Sequence, residues 1–153
     1  MEDPLVVKKK LYALCQKGLE ERMQAIRTAL KEAQDSANVE TKSSAGDKHE
    51  TGRAMMQLET EQLSTRMREV LSEQDRLQRV PDSKSSRIIE PGALVFTDTL
   101  KLYFAVSVGK LLLDGEEYFA LSLQTPLGMV AHGRQEGDTF AFQRKEYRVN
   151  KIF

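Results

Sequence analysis

The stretch VPDSKSSRIIEPG, residues 80–92, decides how this chain is divided. It carries Pro81 and Pro91, a serine cluster and a closing glycine, and it breaks the hydrophobic periodicity on both sides. Before it, apolar residues recur at helical spacing. After it they alternate, as they do along half-buried strands. The expectation is an α+β chain with residues 1–80 as a helical module, 81–92 as a linker and 93–153 as a sheet-rich module.

Upstream, Asp3-Pro4 reads as a helix start, an Asp cap followed by proline at the first helical position, where its missing N–H costs nothing. Leu11, Leu19, Met23, Ile26, Leu30 and Ala33 then form one apolar stripe, predicting a helix from residue 4 to about residue 35. Gly18 is its weak point. From residue 48 to about residue 79, Met56, Leu63, Val70 and Leu77 fall seven apart, with Thr60, Met67 and Gln74 in the alternating seam positions. Two helices with matching stripes and a short connection predict an antiparallel coiled-coil hairpin, each arm roughly 45 Å long at 1.5 Å per residue.

Downstream, Leu100, Leu102, Phe104, Val106 and Val108 predict one strand face, and Phe119, Leu121 and Leu123 another. Phe140 with Phe142, and Tyr147 with Val149, repeat the pattern. Asp114-Gly115 is a turn signal. TPLGMVAHG, from Thr125, predicts a short helix with Pro126 at its first position and Gly133 just past its end. The second module is therefore expected to be a small, mainly antiparallel sheet covering one short helix.

Lys plus Arg and Asp plus Glu are both 23, and the halves on either side of Pro81 are each neutral. A protein that grips duplex DNA through its phosphates would carry a basic excess, so any nucleic-acid role must be local or relayed through a partner. With no secretory signal and no apolar run near 18 residues, a cytoplasmic protein is expected. The one cysteine, Cys15, cannot form an internal disulfide, and its helical position reads as core packing. A thiol-dependent enzyme would need partners that His49 and His132 do not supply.

Between the helices lies TKSSAGDKHETGRAMM, residues 41–56, which places Asp47 and Glu50 at the turn. Their spacing is that of a capping box, with Asp47 as cap and Glu50 three residues on. The same spacing sets both carboxylates on one side of a helix start, where they could face one cation. The two roles are compatible. His49 reads as a solvated residue rather than a proton relay, and Lys42, Lys48 and Arg53 as a solvated tip with some reach for phosphates.

Two local patterns resemble the bacterial Gre-type transcript cleavage factors. That family's hairpin tip reads Gly-Asp-x-x-Glu-Asn, and Gly46, Asp47, Lys48, His49, Glu50 and Thr51 match it except at the last position. Its C-terminal domain carries Ser-Pro before a short apolar helix, then Gly-Lys and Gly-Asp before closing strands. Here these are Thr125-Pro126-Leu127-Gly128, Gly133-Arg134 and Gly137-Asp138. The resemblance implies a coiled-coil hairpin with its tip near 46–51, and an FKBP-like domain over 93–153. It also implies a monomeric accessory transcription elongation factor, without enzymatic activity of its own, that binds RNA polymerase at the secondary-channel rim. Thr125, Pro126 and Leu127 would face the polymerase. Asp47 and Glu50 would act only inside it, sharing a Mg²⁺ of the polymerase active site and meeting nascent RNA indirectly; no cofactor of its own and no membrane contact are implied. An FKBP-like shape does not bring prolyl isomerase activity.

Two other functions remain open to the sequence. One is a channel-binding regulator of the same shape without cleavage stimulation. The other is a coiled-coil adaptor unrelated to transcription.

Overall fold

The computed structural model describes residues 2–41 and 46–153, without the side chains of 37, 39–41 and 46–49. The chain is α+β. Helix α1 spans Pro4–Thr41 and α2 spans Gly46–Gln78. They are followed by strands β1 (Leu94–Thr97), β2 (Lys101–Phe104), β3 (Gly109–Leu113) and β4 (Glu116–Leu121), helix α3 (Pro126–Ala131), and strands β5 (Thr139–Phe142) and β6 (Lys145–Ile152).

α1 runs past its expected end, and α2 begins two residues before its expected start and ends where expected. α1 continues past residue 35 because nothing between Gly18 and Gly46 is a proline or glycine, and a polar run without a breaker can stay helical. α2 begins at Gly46, so Asp47 lies inside the first turn rather than at the cap. The start of α1 is as expected: the Asp3 Oδ1 accepts from the Leu5 N–H at 3.0 Å, and Pro4 opens the helix.

The chain forms two compact units whose limits fall inside the helices. Residues 19–72 make one unit. There Met23, Ile26 and Ala33 of α1 and Leu63 of α2 are buried, which in a pair of helices requires packing against the facing helix. Met56 and Met67 are half-buried and Thr60 is exposed, so the seam weakens where the sequence turns polar.

The other unit comprises residues 1–18 and 73–153. In it the Tyr12 hydroxyl donates to the Leu77 carbonyl at 2.9 Å, so the beginning of α1 lies against the end of α2. The segment 81–92 is built into this unit. Ile89 is fully buried, its N–H donates to the Arg134 carbonyl at 2.9 Å, and Gly92 takes a positive φ with Pro81 close behind it.

The six strands form one mixed sheet in the order β3-β4-β2-β1-β6-β5. Every neighbouring pair is antiparallel except β2 with β4, where Leu102 pairs Phe119 in parallel. β1 is central, pairing β2 through Val95↔Leu102 and β6 through Val95↔Ile152. Val95, Leu102, Phe104, Leu121, Phe140 and Val149 make one buried face, joined by Ala131 of α3. On the opposite face Leu94, Tyr103 and Ala120 are buried along with Val7, Leu11 and Cys15 of α1. The sheet thus has a helix on each side. The expected strand through 100–108 is shorter than the alternation suggests. β2 stops at Phe104, after which the chain turns and β3 begins at Gly109 with φ +81°. Asp114 and Gly115 form the β3–β4 turn with positive φ values of 51° and 80°, as their sequence predicts.

Candidate functional site

The first group of candidate residues opens α2. Gly46 starts the helix, and Asp47 and Glu50 follow in its first turns. Glu50 is exposed. Lys42 and the side chains of Asp47, Lys48 and His49 lie outside the described residues. Acidic groups at this end are favoured by the helix dipole, which offsets their mutual repulsion. Arg53, one turn further on, is also exposed. Among the described residues no group of three or more His, Cys, Asp or Glu is placed to hold a metal ion.

The second group surrounds the start of α3. Thr125 caps it: its backbone is extended (φ −70°, ψ 158°) and its Oγ1 accepts from the Gly128 N–H at 3.0 Å. The same hydroxyl donates to the Ser122 carbonyl at 2.8 Å. Pro126 follows in the first turn and is exposed, while Leu127 is half-buried against the core. Gly128 is required by space, since a Cβ there would lie 2.3 Å from the Ser122 carbonyl oxygen. At the other end His132 is the C-cap, donating its N–H to the Gly128 carbonyl at 2.9 Å, and Gly133 takes φ +83°. The helix and its bounds are those the sequence predicts.

Just ahead of Thr125 lies a concave groove of about 130 Å³. Its lining is apolar at Val80, Pro91, Phe104, Ala105 and Leu123 and polar at Gln124, Arg76 and Arg79; of the apolar members Val80, Phe104 and Ala105 are buried. Arg76 pairs with Glu73 at 2.6 Å and Arg79 with Asp75 at 3.0 Å. Sequence reasoning did not find this groove. Its residues come from the end of α2 and the two residues after it, the segment 81–92, the end of β2 and the loop after β4, and no local pattern links them. The Ser122 N–H donates to the Ser107 Oγ at 3.1 Å.

The remaining candidates are structural. Cys15 is fully buried, and burial pushes its thiol up to about 12, so it is unreactive at neutral pH. Tyr103 is fully buried with its hydroxyl unpartnered, and burial raises its ionisation well above the usual phenol range.

These features define an α+β protein in which a pair of long helices carries acidic residues at the start of its second arm, and a mixed sheet carries a capped short helix beside an apolar groove. No protein-family model, curated protein or solved structure is significantly similar to the chain. No described helix is long and apolar enough to cross a membrane.

Proposed function

We propose that this protein is an accessory transcription elongation factor of the Gre type, with an FKBP-like sheet domain. In this reading a cytoplasmic monomer docks on the rim of RNA polymerase's secondary channel and places the start of α2 within it. The observation that carries the proposal is the pairing of two separate patterns in one chain. Asp47 and Glu50 open the second of two long helices, and Thr125-Pro126-Leu127 opens a capped helix on the sheet. The groove beside Thr125 supports a docking role for that loop: its lining combines apolar residues with the polar Gln124, Arg76 and Arg79, the composition of a small recognition site.

The chain itself would supply ligands rather than an active site. Mg²⁺ takes hard oxygen ligands and keeps several waters, so Asp47 and Glu50 fit as one or two added carboxylates, with the polymerase and solvent completing the set. When bound there, the ion would stabilise charge at the attacking or leaving oxygen of phosphodiester hydrolysis. Asp47 and Glu50 would hold and orient these groups against the backtracked RNA, which the protein would otherwise touch little.

The test is RNA cleavage in stalled, backtracked complexes of the cognate polymerase, comparing wild type with Asp47→Asn and Glu50→Gln. Both changes keep hydrogen-bonding capacity and shape while removing charge, so the fold should survive. Stimulation by wild type that is lost in both variants supports the proposal. If folded wild type binds polymerase without stimulating cleavage, the channel-binding regulator replaces it; if it does not bind, the adaptor does.

A further inference from the structure

The carboxylate of Glu73 is forked between Arg76, which lines the groove, and Ser107, which stands behind it. Its Oε1 accepts from the Arg76 guanidinium at 2.6 Å. Its Oε2 accepts from the Ser107 N–H at 3.4 Å, across 34 positions of sequence. From Ser107 the contacts continue without a gap. The Ser107 Oγ accepts from the Ser122 N–H at 3.1 Å, and the Ser122 carbonyl accepts from the Thr125 hydroxyl at 2.8 Å. The Thr125 Oγ1 in turn accepts from the Gly128 N–H at 3.0 Å and so caps α3. Ser122 is 3% exposed, which leaves its N–H no access to bulk water if Ser107 is lost. Glu73 is itself shielded, at 22% side-chain exposure, and lies on the last turns of α2 rather than in the groove lining.

We infer that Glu73 is a positioning residue for the groove: it holds Arg76 of the lining and, through Ser107 and Ser122, the loop from Ser122 to Thr125 that carries the lining residues Leu123 and Gln124. This inference rests on the reading that loop and groove dock on the polymerase. The 2.6 Å bond to Arg76 is charge-assisted and the stronger arm of the fork, and the 3.4 Å bond to Ser107 is the weaker. Glutamine in its place could still accept from Ser107 but would release Arg76, and alanine would release both. A partner would then meet a groove whose lining is no longer fixed and would bear the cost of ordering it on binding.

The experiment uses the full chain with Glu73→Gln, Glu73→Ala and Ser107→Ala, the last a smaller change at the middle of the relay. Three quantities are read: melting temperature, exchange of the Ser122 and Gly128 amides, and affinity for the cognate polymerase in competition with labelled wild type. Leu127→Asp serves as the docking control. The expected result is faster exchange at Ser122 and Gly128 in Glu73→Ala and Ser107→Ala. All three variants should lose affinity roughly three- to thirtyfold, with a melting temperature close to wild type in Glu73→Gln and a lower one in Ser107→Ala, where the Ser122 N–H is left unsatisfied. Unchanged amide exchange in Glu73→Ala overturns the relay, whatever happens with polymerase. Faster exchange with wild-type affinity, while Leu127→Asp weakens binding, overturns the positioning role and leaves the docking reading standing. Wild-type affinity in Leu127→Asp as well overturns both. A loss of affinity that only tracks a fall in melting temperature marks Glu73 as structural and also overturns the inference.

Discussion

The ammonium of Lys8 donates a 2.9 Å hydrogen bond to the carbonyl oxygen of Phe153, across 145 positions of sequence. It also donates to the Lys84 carbonyl at 2.6 Å, and it is fully buried. One side chain from the second turn of α1 thus ties the segment 81–92 to the residue that follows β6, the last strand in sequence. Burial lowers the Lys8 pKa to about 8, with the field of Glu90 opposing the shift. The folded-state value lies below the unfolded one of 10.5, so between these limits the unfolded chain binds more protons. Lys8 therefore makes stability rise with pH from about 8 to 10.5, by at most about 1.4 kcal/mol per pH unit. Chemical denaturation across this range should show the rise in wild type. In Lys8→Met the rise should be absent. A slope unchanged by that substitution would refute the assignment.

Cys15 acts in the opposite direction. Its folded-state value of about 12 exceeds the ordinary 9.0, because burial disfavours the thiolate. The stability this group allows is complete below pH 9 and is lost as pH climbs toward 12. Cys15→Ala should flatten the alkaline limb of the stability profile, even though the substitution costs some core packing at every pH. The two groups oppose each other between pH 9 and 10.5, so the double variant separates them.

Two helical glycines should respond with opposite signs to alanine. A Cβ on Gly18 would sit 3.6 Å from the Val108 Cγ1, which is ordinary contact, so Gly18→Ala should stabilise by about 0.5–1 kcal/mol through helix propensity. A Cβ on Gly128 would meet the Ser122 carbonyl oxygen at 2.3 Å and the Leu123 Cα at 2.6 Å. Backbone must move there, and Gly128→Ala should cost about 1–3 kcal/mol. Thermal melts of both variants decide the matter.

Thr125→Ala removes the α3 cap, with an expected loss of about 1 kcal/mol. Serine at 125 should restore most of it, because the bond to the Gly128 N–H needs only the hydroxyl. A wild-type melting temperature in Thr125→Ala would show that Pro126 and the neighbouring packing suffice.

The large features were legible because each has a local cause. Asp3-Pro4 announces α1, Asp114-Gly115 announces a hairpin turn, and Thr125-Pro126 with Gly133 brackets α3. β1 was not read, although Ala93-Leu94-Val95-Phe96 is a short apolar run between Gly92 and Asp98. Such a run lacks alternation because a central strand is covered on both faces, and both Leu94 and Val95 are fully buried. The end of β2 was overrun for a related reason. Val106 is buried beyond the strand, so its apolarity reports burial and not extended pairing. At the site, Thr125, Pro126 and Leu127 were legible as a helix start. The groove, the Glu73 fork and the Lys8 contacts were not, since each joins residues whose proximity only the tertiary fold creates.

The position of β6 bears on the order in which this protein can fold. β6 is the last strand in sequence, yet it lies between β1 and β5. Until it is present, β1 has one bare edge and β5 has no neighbour to pair with. The helices need only local contacts and can form within microseconds, whereas the Val95↔Ile152 pairing must close a long loop. The helical arms should therefore form early, and the sheet that receives their ends should set the rate.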